Sequence, residues 1–520
     1  MPFTTIEFIG FFSVLFIAYY ALARKFQWWL LLAGSMIFYA YASPFYLLLI
    51  WGVILLTWGG GVWMRVLYER RDAWLTANKG TIDRETKKQF KAQVERQTHW
   101  VLLGVIAVLL LLLGGFKYLQ FICDNIVWLG GILGWHTTSP TLGIILPVGL
   151  SFYIFQSMAY CIDVHREEIA AERNLLRHAL YVSYFPQIMQ GPIGNYSRLG
   201  SQLSATHDFN YEEVVSGIQR VTWGFFKKFL IANTIANRIN IVWTSPQDYP
   251  GMFVWGVFCF LYAVQLYADF SGYMDIACGC SQMLGIKLDE NFNCPYLAKS
   301  IPDFWRRWHM SLSTWFKDYL FYPILRSNWN AALRKRAGAM VATAVALAVV
   351  WLATGLWHGA SWGYVAWGAY YGFFMILSLV IQPYCDRFHA AFPKLTGSKV
   401  YSVCQMARTF SIVVVGYAIF KPGDFGVTLQ IVRQAAKGLL ASGSYLPHNG
   451  SCSWAFIGVG VLILLIVDVI HYNFGHGIIR ATVRRLPLLV RWLCYLTGLW
   501  VIVFLGLYGS GFDQFEYFNF

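Results

Sequence analysis

Long runs of apolar residues recur along the whole chain, separated by short polar intervals. Runs of roughly 17–25 such residues are long enough to cross the hydrocarbon core of a bilayer as helices. The pattern predicts an all-α, polytopic integral membrane protein with about 10–13 transmembrane helices. The predicted spans are 5–23, 28–43, 45–64, 101–122, 142–161, 214–236, 252–270, 338–357, 361–381, 405–421, 455–474 and 492–510.

Two regions depart from this pattern of simple crossings. Residues 180–213 contain the Pro/Gly-rich break FPQIMQGPIGNY, and residues 271–325 mix apolar and cationic residues too closely for a lipid-facing span. Irregular backbone at membrane depth survives only where it is buried in protein or lines a wet cavity. Both regions are therefore predicted to form re-entrant or amphipathic elements around a site. Ordinary cytoplasmic loops with amphipathic helices are the alternative.

The composition excludes a soluble globular enzyme and a disordered chain. Of the 520 residues, 57% are hydrophobic and only 13% are charged, about half the charged share of a soluble domain. The first apolar run, 5–23, has no basic leader and no clear cleavage site, so it is expected to be a retained helix. Residues 1–520 are predicted to form a single domain embedded in the cytoplasmic membrane.

The distribution of charge predicts the orientation of the chain. There are 40 Lys and Arg against 26 Asp and Glu, a net charge of +14. The cations cluster in 65–100, 326–336 and 480–491, where the positive-inside rule expects cytoplasmic segments. Residues 65–100 are predicted to be a helical, solvated cytoplasmic insert, residues 422–454 an extracytoplasmic loop, and both termini extracytoplasmic. Clustering between apolar runs also argues against nucleic-acid binding.

Motifs for metals, nucleotides and hydrolases are absent from the sequence. The ten cysteines form no CxxC and no Cys/His cluster with zinc spacing, so neither a metal site nor a disulfide framework is predicted. There is also no GxxxxGK[ST], HExxH or GxSxG motif. Candidate chemistry therefore rests on ionisable residues inside apolar segments, which are costly and point to function.

His309 is one such residue. If residues 303–325 form a helix, their aromatic side chains fall on one arc and their charged side chains on the other, and His309 lies within the apolar arc. A buried imidazole needs a hydrogen-bond partner. His309 is either a functional group or a structural histidine bonded to a carbonyl.

His358 is the second candidate, at the end of a long apolar run in WLATGLWHGASW. Gly359 is a plausible helix C-cap, and Thr354, one turn back, is placed to orient the imidazole. A structural histidine is again the alternative. Desolvation keeps such an imidazole neutral, which suits a general base that takes the proton of a hydroxyl as its oxygen attacks an acyl carbonyl.

Asp269 and Asp275, in VQLYADFSGYMDIACG, are acids at predicted membrane depth. Ser271 and Gly272 suggest a helix break between them. The acids are either proton or hydrogen-bonding partners of His309 or helix-terminus caps around the break. The nine other histidines of the eleven in the chain, His178 among them, are interpreted as incidental residues in loops or at helix ends.

Five stretches make the sequence resemble the membrane-bound O-acyltransferase family, in particular its bacterial envelope-polysaccharide O-acetyltransferase branch. That branch includes the membrane subunit of alginate O-acetylation and is related to the exporter of D-alanyl groups to teichoic acid. The stretches stand in the family's order: LPVGLSFYIFQSMAYCIDVHR (146–166), YFPQIMQGPI (184–193), QLYADFSGYMDIACG (265–279), ENFNCPYLAKSIPDFWRRWHMSLSTWFKDYLFYPI (290–324) and GLWHGASWGYVAWGAYYG (355–372).

The resemblance implies a fold, a site and a reaction. The fold is a bundle of tilted helices around a central tunnel. The family's two active-site histidines fall on His309 and His358, and Arg306 and Asp318 match positions with structural or donor-contacting roles. The implied reaction moves an acetyl group from a cytoplasmic donor, acetyl-CoA, to a hydroxyl of an extracytoplasmic polysaccharide. The acceptor is reached directly or through an extracytoplasmic acetyltransferase-like partner protein, and no bound cofactor is expected.

Two residues favour acetyl over D-alanyl transfer within this resemblance. D-alanyl exporters usually have Asn where Arg306 stands, and Asp275 fits the O-acetyl branch better. D-alanyl transfer from a carrier protein to teichoic acid remains the alternative enzyme. A proton-coupled transporter is a third reading, because paired intramembrane acids and histidines also serve proton coupling.

Overall fold

The computed structural model is built of helices, and it describes residues 1–42, 44–134, 138–189, 191–437 and 454–507. Within these ranges no β-strand forms, and one isolated bridge pairs Phe292 with Trp308. The prediction of an all-α, polytopic fold is confirmed. Backbone contacts divide the chain into two compact units. The first comprises Met1, 5–214 and 281–288, and the second comprises 2–4, 215–280 and 289–520.

The first unit contains nine helices and the start of a tenth among the described residues. They are α1 (Ile6–Ala21), α2 (Gln27–Ala42), α3 (Tyr46–Ala77), α4 (Arg84–Leu113), α5 (Leu119–Ile132), α6 (Leu150–His165), α7 (Leu175–Ser183), α8 (Phe185–Ile188) and α9 (Tyr196–Ser204), followed by α10 (Tyr211–Phe226), which continues into the second unit. A π-helical turn, Gly114–Tyr118, joins α4 to α5.

The second unit contains the remaining described helices. They are α11 (Thr234–Thr244), α12 (Met252–Met283), α13 (Ile301–Trp305), α14 (Met310–Phe316), α15 (Tyr322–Arg326), α16 (Asn328–Ala337), α17 (Ala339–His358), α18 (Trp362–Ala391), α19 (Pro393–Thr396), α20 (Lys399–Phe420), α21 (Phe425–Ala436), α22 (Trp454–Phe474), α23 (Ile478–Arg485) and α24 (Leu488–Trp500). The last three residues of α12 belong to the first unit. Further π-helical turns occupy Lys227–Asn233, Lys317–Phe321 and Val501–Leu507.

Every predicted span overlaps one or two helices of the structure. Seven helices of the described chain are long and apolar enough to cross a membrane, and α1 and the segment Leu488–Phe504 are shorter apolar helices. The count of 10–13 crossings stays a prediction. One boundary was wrong: span 142–161 is helical only from Leu150, because Pro147 lacks an N–H donor and Gly149 takes a positive φ of 74°. Residues 508–510 of the last predicted span lie outside the described residues.

The Pro/Gly-rich region is packed inside the first unit. Pro186 lies in the first turn of the one-turn helix α8, and all described residues from 178 to 194 are buried. The expectation that irregular backbone here is buried in protein is confirmed. The basic segment 65–100 is helical except for the turn at 78–83 between α3 and α4. Of the predicted loop 422–454, residues 425–436 form α21 and 438–453 lie outside the described residues.

The prediction of one helix over 303–325 was wrong. The segment forms α13, a turn, α14, a π-helical turn and α15. The interruption falls at His309, whose backbone is left-handed (φ 46°, ψ 54°). A neighbouring segment pairs with the turn: the N–H of Asn293 donates to the carbonyl of Arg307, and the N–H of Met310 donates to the carbonyl of Asn291. Hydrophobic periodicity carries no signal for such non-local pairing.

The predicted helix break at Ser271–Gly272 was also wrong, because α12 is continuous there. Gly272 serves close packing instead. A Cβ on Gly272 would lie 3.0 Å from the carbonyl oxygen of Gly224 in α10, and one on Gly224 would lie 2.6 Å from the carbonyl oxygen of Gly272. The two helices therefore approach each other through their backbones, as small residues allow in membrane proteins.

Candidate active site

His358 is the last residue of the apolar helix α17. Its imidazole is 6% exposed and packs edge-on against Trp367 and Phe420, with ring centroids 4.9 and 5.2 Å away. Gly359 ends the helix, and its N–H lies 3.4 Å from the carbonyl oxygen of Gly355. The predicted cap at Gly359 is confirmed. His358 is thus held at a helix end among aromatic rings.

His309 lies outside the long helices, in the turn between α13 and α14. Its imidazole is 1% exposed, and its ring meets that of Phe270 edge-on with centroids 4.9 Å apart. Its Nδ1 lies 3.4 Å from Oδ1 of Asn291. The predicted burial of His309 is confirmed although the predicted helix is not. Burial lowers the pKa of His309 to about 3, so the imidazole is neutral at physiological pH.

The indole of Trp357 contacts the imidazoles of both histidines. Its indole lies 6.2 Å from the ring of His309 and 4.9 Å from the ring of His358, measured between centroids, and both contacts are edge-on. The two imidazoles therefore lie beside the same indole, although 48 residues of sequence separate them.

The two candidate acids of α12 lie in buried ion pairs. Oδ1 of Asp269 is 2.7 Å from Nζ of Lys228, and both side chains are 2% exposed. Asp275 bridges two cations, with Nζ of Lys227 at 2.6 Å and Nε of Arg220 at 2.9 Å. Buried charges are stable only when paired in this way. A role of either acid as a partner of His309 or in proton transfer stays a prediction.

Each of the three remaining candidate residues contacts a group that lies within four residues of it in the sequence. The hydroxyl of Thr354 donates to the carbonyl of Val350 in its own helix at 2.8 Å. The side chain of Arg306 is 73% exposed, with its guanidinium 3.6 Å from Asp303. The side chain of Asp318 is 41% exposed, and a carboxylate oxygen lies 3.9 Å from Nζ of Lys317. Their orienting and donor-contacting roles stay predictions.

Several buried polar residues were not anticipated from the sequence. Lys227 and Lys228 begin a π-helical turn, which lets two consecutive side chains both reach α12. Asp468, in the middle of α22, accepts a hydrogen bond from the hydroxyl of Tyr267 at 3.0 Å. The signal was present, because each is an ionisable residue inside a predicted span.

Three histidines interpreted as incidental have specific contacts. His178 lies inside α7 and is fully buried, with Nε2 2.9 Å from Oγ1 of Thr57, so its assignment to a loop or helix end was wrong. His471 and His476 lie together, with ring centroids 4.9 Å apart. Nε2 of His476 is 3.1 Å from Oδ1 of Asn293. In the part of the chain that the structure describes, no three His, Cys, Asp or Glu residues are grouped to hold a metal ion.

Comparison with protein families gives one match, the model of the MBOAT, membrane-bound O-acyltransferase family, over residues 164–418. This range contains His309, His358 and all five supporting candidates.

Curated relatives extend the similarity beyond that range. The chain is 35% identical over 431 residues to the probable alginate O-acetylase AlgI of Pseudomonas syringae pv. tomato, which covers 82% of this chain and 73% of the relative. It is 30% identical to the peptidoglycan O-acetyltransferase of Helicobacter pylori, over 64% of each chain. It is 28% identical to the teichoic acid D-alanyltransferase of Bacillus subtilis, over 55% of this chain and 71% of the relative.

Proposed function

The chain belongs to the membrane-bound O-acyltransferase family, and we propose that this multi-pass membrane acyltransferase transfers acetyl groups to hydroxyls of an extracytoplasmic polysaccharide. The observation that carries the proposal is the convergence of two buried imidazoles, His309 and His358, beside the indole of Trp357. Neutral imidazoles are suited to remove a proton from a hydroxyl group.

In the proposed reaction His358 is the general base. Its imidazole takes the proton of the acceptor hydroxyl as that oxygen attacks the acyl carbonyl of a thioester donor. The new carbon–oxygen bond forms, the carbon–sulfur bond breaks, and the departing thiolate receives the proton from the imidazole. His309 orients the acceptor or shares the proton. The aromatic rings around both histidines exclude water, which would otherwise compete for the acyl group.

The proposed donor is acetyl-CoA, bound from the cytoplasmic side. Arg480 supports an anionic donor, since its guanidinium donates a hydrogen bond to the neutral hydroxyl of Ser216 at 3.3 Å. Arg307 and His476 both hydrogen-bond to Asn293, in the segment that pairs with the turn of His309. The guanidinium groups of Arg480 and Arg307 would attract the phosphates of the donor toward the histidines.

The proposed location is the cytoplasmic membrane, with the acceptor on its outer side. The acetyl group would reach the polysaccharide either directly or through an extracytoplasmic acetyltransferase-like partner protein. The names of the two O-acetylating relatives support a polysaccharide acceptor.

D-alanyl transfer from a carrier protein to teichoic acid is the second candidate. The similarity to the Bacillus subtilis D-alanyltransferase favours it, but that similarity is lower, and covers less of this chain, than the similarity to the alginate O-acetylase. Mass spectrometry separates the two, because acetyl and D-alanyl esters differ in mass and only the latter carries an amine. Membership of an acyltransferase family argues against the proton-coupled transporter.

The test compares strains that carry His358→Ala, His309→Ala or the control His389→Ala, in which an exposed histidine of α18 is removed. Ester-linked acetate on envelope polysaccharide is measured by mass spectrometry, and the amount of protein in the membrane by immunoblot. We expect loss of acetate in the first two strains and wild-type acetate in the control. Wild-type acetate in both catalytic variants at normal protein levels would contradict the proposal.

A further inference from the structure

The side-chain amide of Asn291 has a fixed orientation beside His309. Asn291 is 1% exposed, and the atom assigned as Oδ1 lies 2.9 Å from the backbone N–H of Ser311. A backbone N–H only donates, so the amide atom that faces it must be the oxygen. The other amide atom, Nδ2, lies 3.4 Å from the sulfur of Met274, which accepts hydrogen bonds. Both contacts agree on one orientation of the amide.

That orientation determines which nitrogen of His309 carries hydrogen. Nδ1 of His309 lies 3.4 Å from the same oxygen of Asn291. A carbonyl oxygen has no hydrogen to donate, so Nδ1 must be the protonated nitrogen, and in the neutral ring Nε2 carries the lone pair.

We propose that Asn291 is a positioning residue that holds His309 as the Nδ1–H tautomer, so that Nε2 presents the lone pair with which His309 orients the acceptor hydroxyl or shares its proton with His358. The inference rests on the proposed function in one respect, the participation of His309 in the reaction. The tautomer itself follows from the contacts of Asn291.

The backbone around Asn291 holds the ring in the same place. A left-handed backbone such as that of His309 (φ 46°) is unfavourable for a non-glycine residue. The segment that contains Asn291 supports it through the bridge between Phe292 and Trp308 and the bond from the N–H of Met310 to the carbonyl of Asn291. Two consecutive residues, Asn291 and Phe292, thus support both the backbone and the tautomer of one histidine.

A neutral acceptor at position 291 keeps the imidazole uncharged. Three carboxylates near His309 are paired with cations: Asp269 with Lys228, Asp275 with Lys227 and Arg220, and Glu290 with Arg220. A fourth, Asp468 of α22, accepts a hydrogen bond from the hydroxyl of Tyr267 in α12. Next to Trp357, α17 contributes His358, and the turn itself contributes Arg307, which is paired with Asp303. An amide bonds to Nδ1–H without favouring a second proton on the ring, whereas a carboxylate would favour it.

The first experiment reads the tautomer directly. The full-length protein is labelled with ¹⁵N-histidine in lipid nanodiscs, and the signals of His309 are assigned by their loss in His309→Gln. We expect a protonated Nδ1 and an unprotonated Nε2 in the wild type. The opposite tautomer in the wild type would overturn the inference, whatever the activity of the enzyme.

The second experiment measures acetyl transfer against pH. Asn291→Ala removes the acceptor, and kcat should fall about tenfold or more while KM for the donor stays within about threefold. Asn291→Asp restores an acceptor but adds a charge that raises the pKa of His309. Its activity should exceed that of Asn291→Ala, with the acid limb of its kcat/KM profile displaced to higher pH. The control is Asn330→Ala, which removes an equally buried amide that donates to the carbonyl of Ala342.

The outcomes separate the inference from the proposed function. Wild-type kcat and an unshifted pH profile in both Asn291 variants would overturn the positioning role. An inactive Asn291→Ala protein with an active, shifted Asn291→Asp protein supports it, because a merely structural amide would not move the profile. If His309→Gln keeps full activity while the wild-type tautomer is as expected, the proposed role of His309 fails and the tautomer assignment stands.

Discussion

Gly359 shows how little space surrounds the end of α17. A Cβ at this position would lie 2.1 Å from Cε2 of Tyr364, a separation that atoms do not reach without displacement. The ring of Tyr364 packs against Phe420, which also contacts His358, so the ring cannot move freely. We therefore expect Gly359→Ala to displace His358 and to reduce acetylation about tenfold or more, since small misplacements of a catalytic group have large effects on rate.

The matched control is Gly458→Ala in α22, where a Cβ would meet no atom within 4 Å. A second variant, Gly359→Ala with Tyr364→Leu, removes the obstructing ring and should recover part of the lost activity. Acetate on the polysaccharide and protein in the membrane are measured for each. Equal activity of Gly359→Ala and Gly458→Ala would show that the end of α17 tolerates the added methyl group.

His178 makes the stability of the protein sensitive to acid. Burial lowers the pKa of His178 to about 3 from its ordinary value of 6.5. Below about pH 6.5 the imidazole of the unfolded chain is protonated, whereas that of the folded chain stays neutral. The free energy of unfolding therefore falls by about 1.4 kcal/mol for each pH unit below that value. In His178→Leu this contribution is absent, while the hydroxyl of Thr57 keeps its bond to the carbonyl of Val53.

The measurement is the difference in Tm between pH 7 and pH 5 in detergent. We expect a smaller difference for His178→Leu than for the wild type, even if the variant is less stable at pH 7. Tm values that fall in parallel would assign the acid sensitivity to other groups.

At the scale of helices, variants of the ion pair between Asp269 of α12 and Lys228 of the π-helical turn distinguish a structural role of Asp269 from a chemical one. Lys228→Met leaves the carboxylate of Asp269 buried without this cation, which should destabilise the protein by about 3–5 kcal/mol. Replacing both residues, Lys228→Met with Asp269→Leu, removes both charges, and stability should return to within about 1–2 kcal/mol of the wild type.

The activity of this double variant decides the role of Asp269. If the pair only supports the packing of α12, the double variant transfers acetyl groups at nearly the wild-type rate. A stable double variant without activity would instead identify Asp269 as a group that takes part in proton transfer. Stability is followed by thermal melting and activity by polysaccharide acetate.

The helices of the fold could be predicted from the sequence more fully than the site. Each long apolar run contains enough local information to specify a helix, so even the position of His358 at a helix end was predictable. The turn at His309 was not, because its left-handed backbone depends on pairing with residues 291–293, which periodicity does not record. Asn291 was missed for the same reason. Gly272 suggested a break because the sequence does not reveal that Gly224 packs against it.

At the scale of the whole molecule, the asymmetric distribution of Lys and Arg predicts which side of the membrane each polar segment occupies. Residues 65–100 carry nine cations, whereas 239–252 carry none. Both contain residues that are exposed in the structure, Lys88 in α4 and Gln247 in a turn before α12. The positive-inside rule places Lys88 in the cytoplasm and Gln247 outside.

A membrane-impermeant maleimide tests this orientation in intact cells. Lys88→Cys should react only after the membrane is permeabilised, and Gln247→Cys should react before, each measured above the labelling of the parent protein with its ten native cysteines. This orientation places the cations that would attract acetyl-CoA on the side where the donor is made. The reverse labelling pattern would show that the chain has the opposite orientation in the membrane, with Arg480 on the side of the acceptor. Since Arg480 supports the proposed donor site, labelling at Lys88 in intact cells would contradict entry of the donor from the cytoplasm.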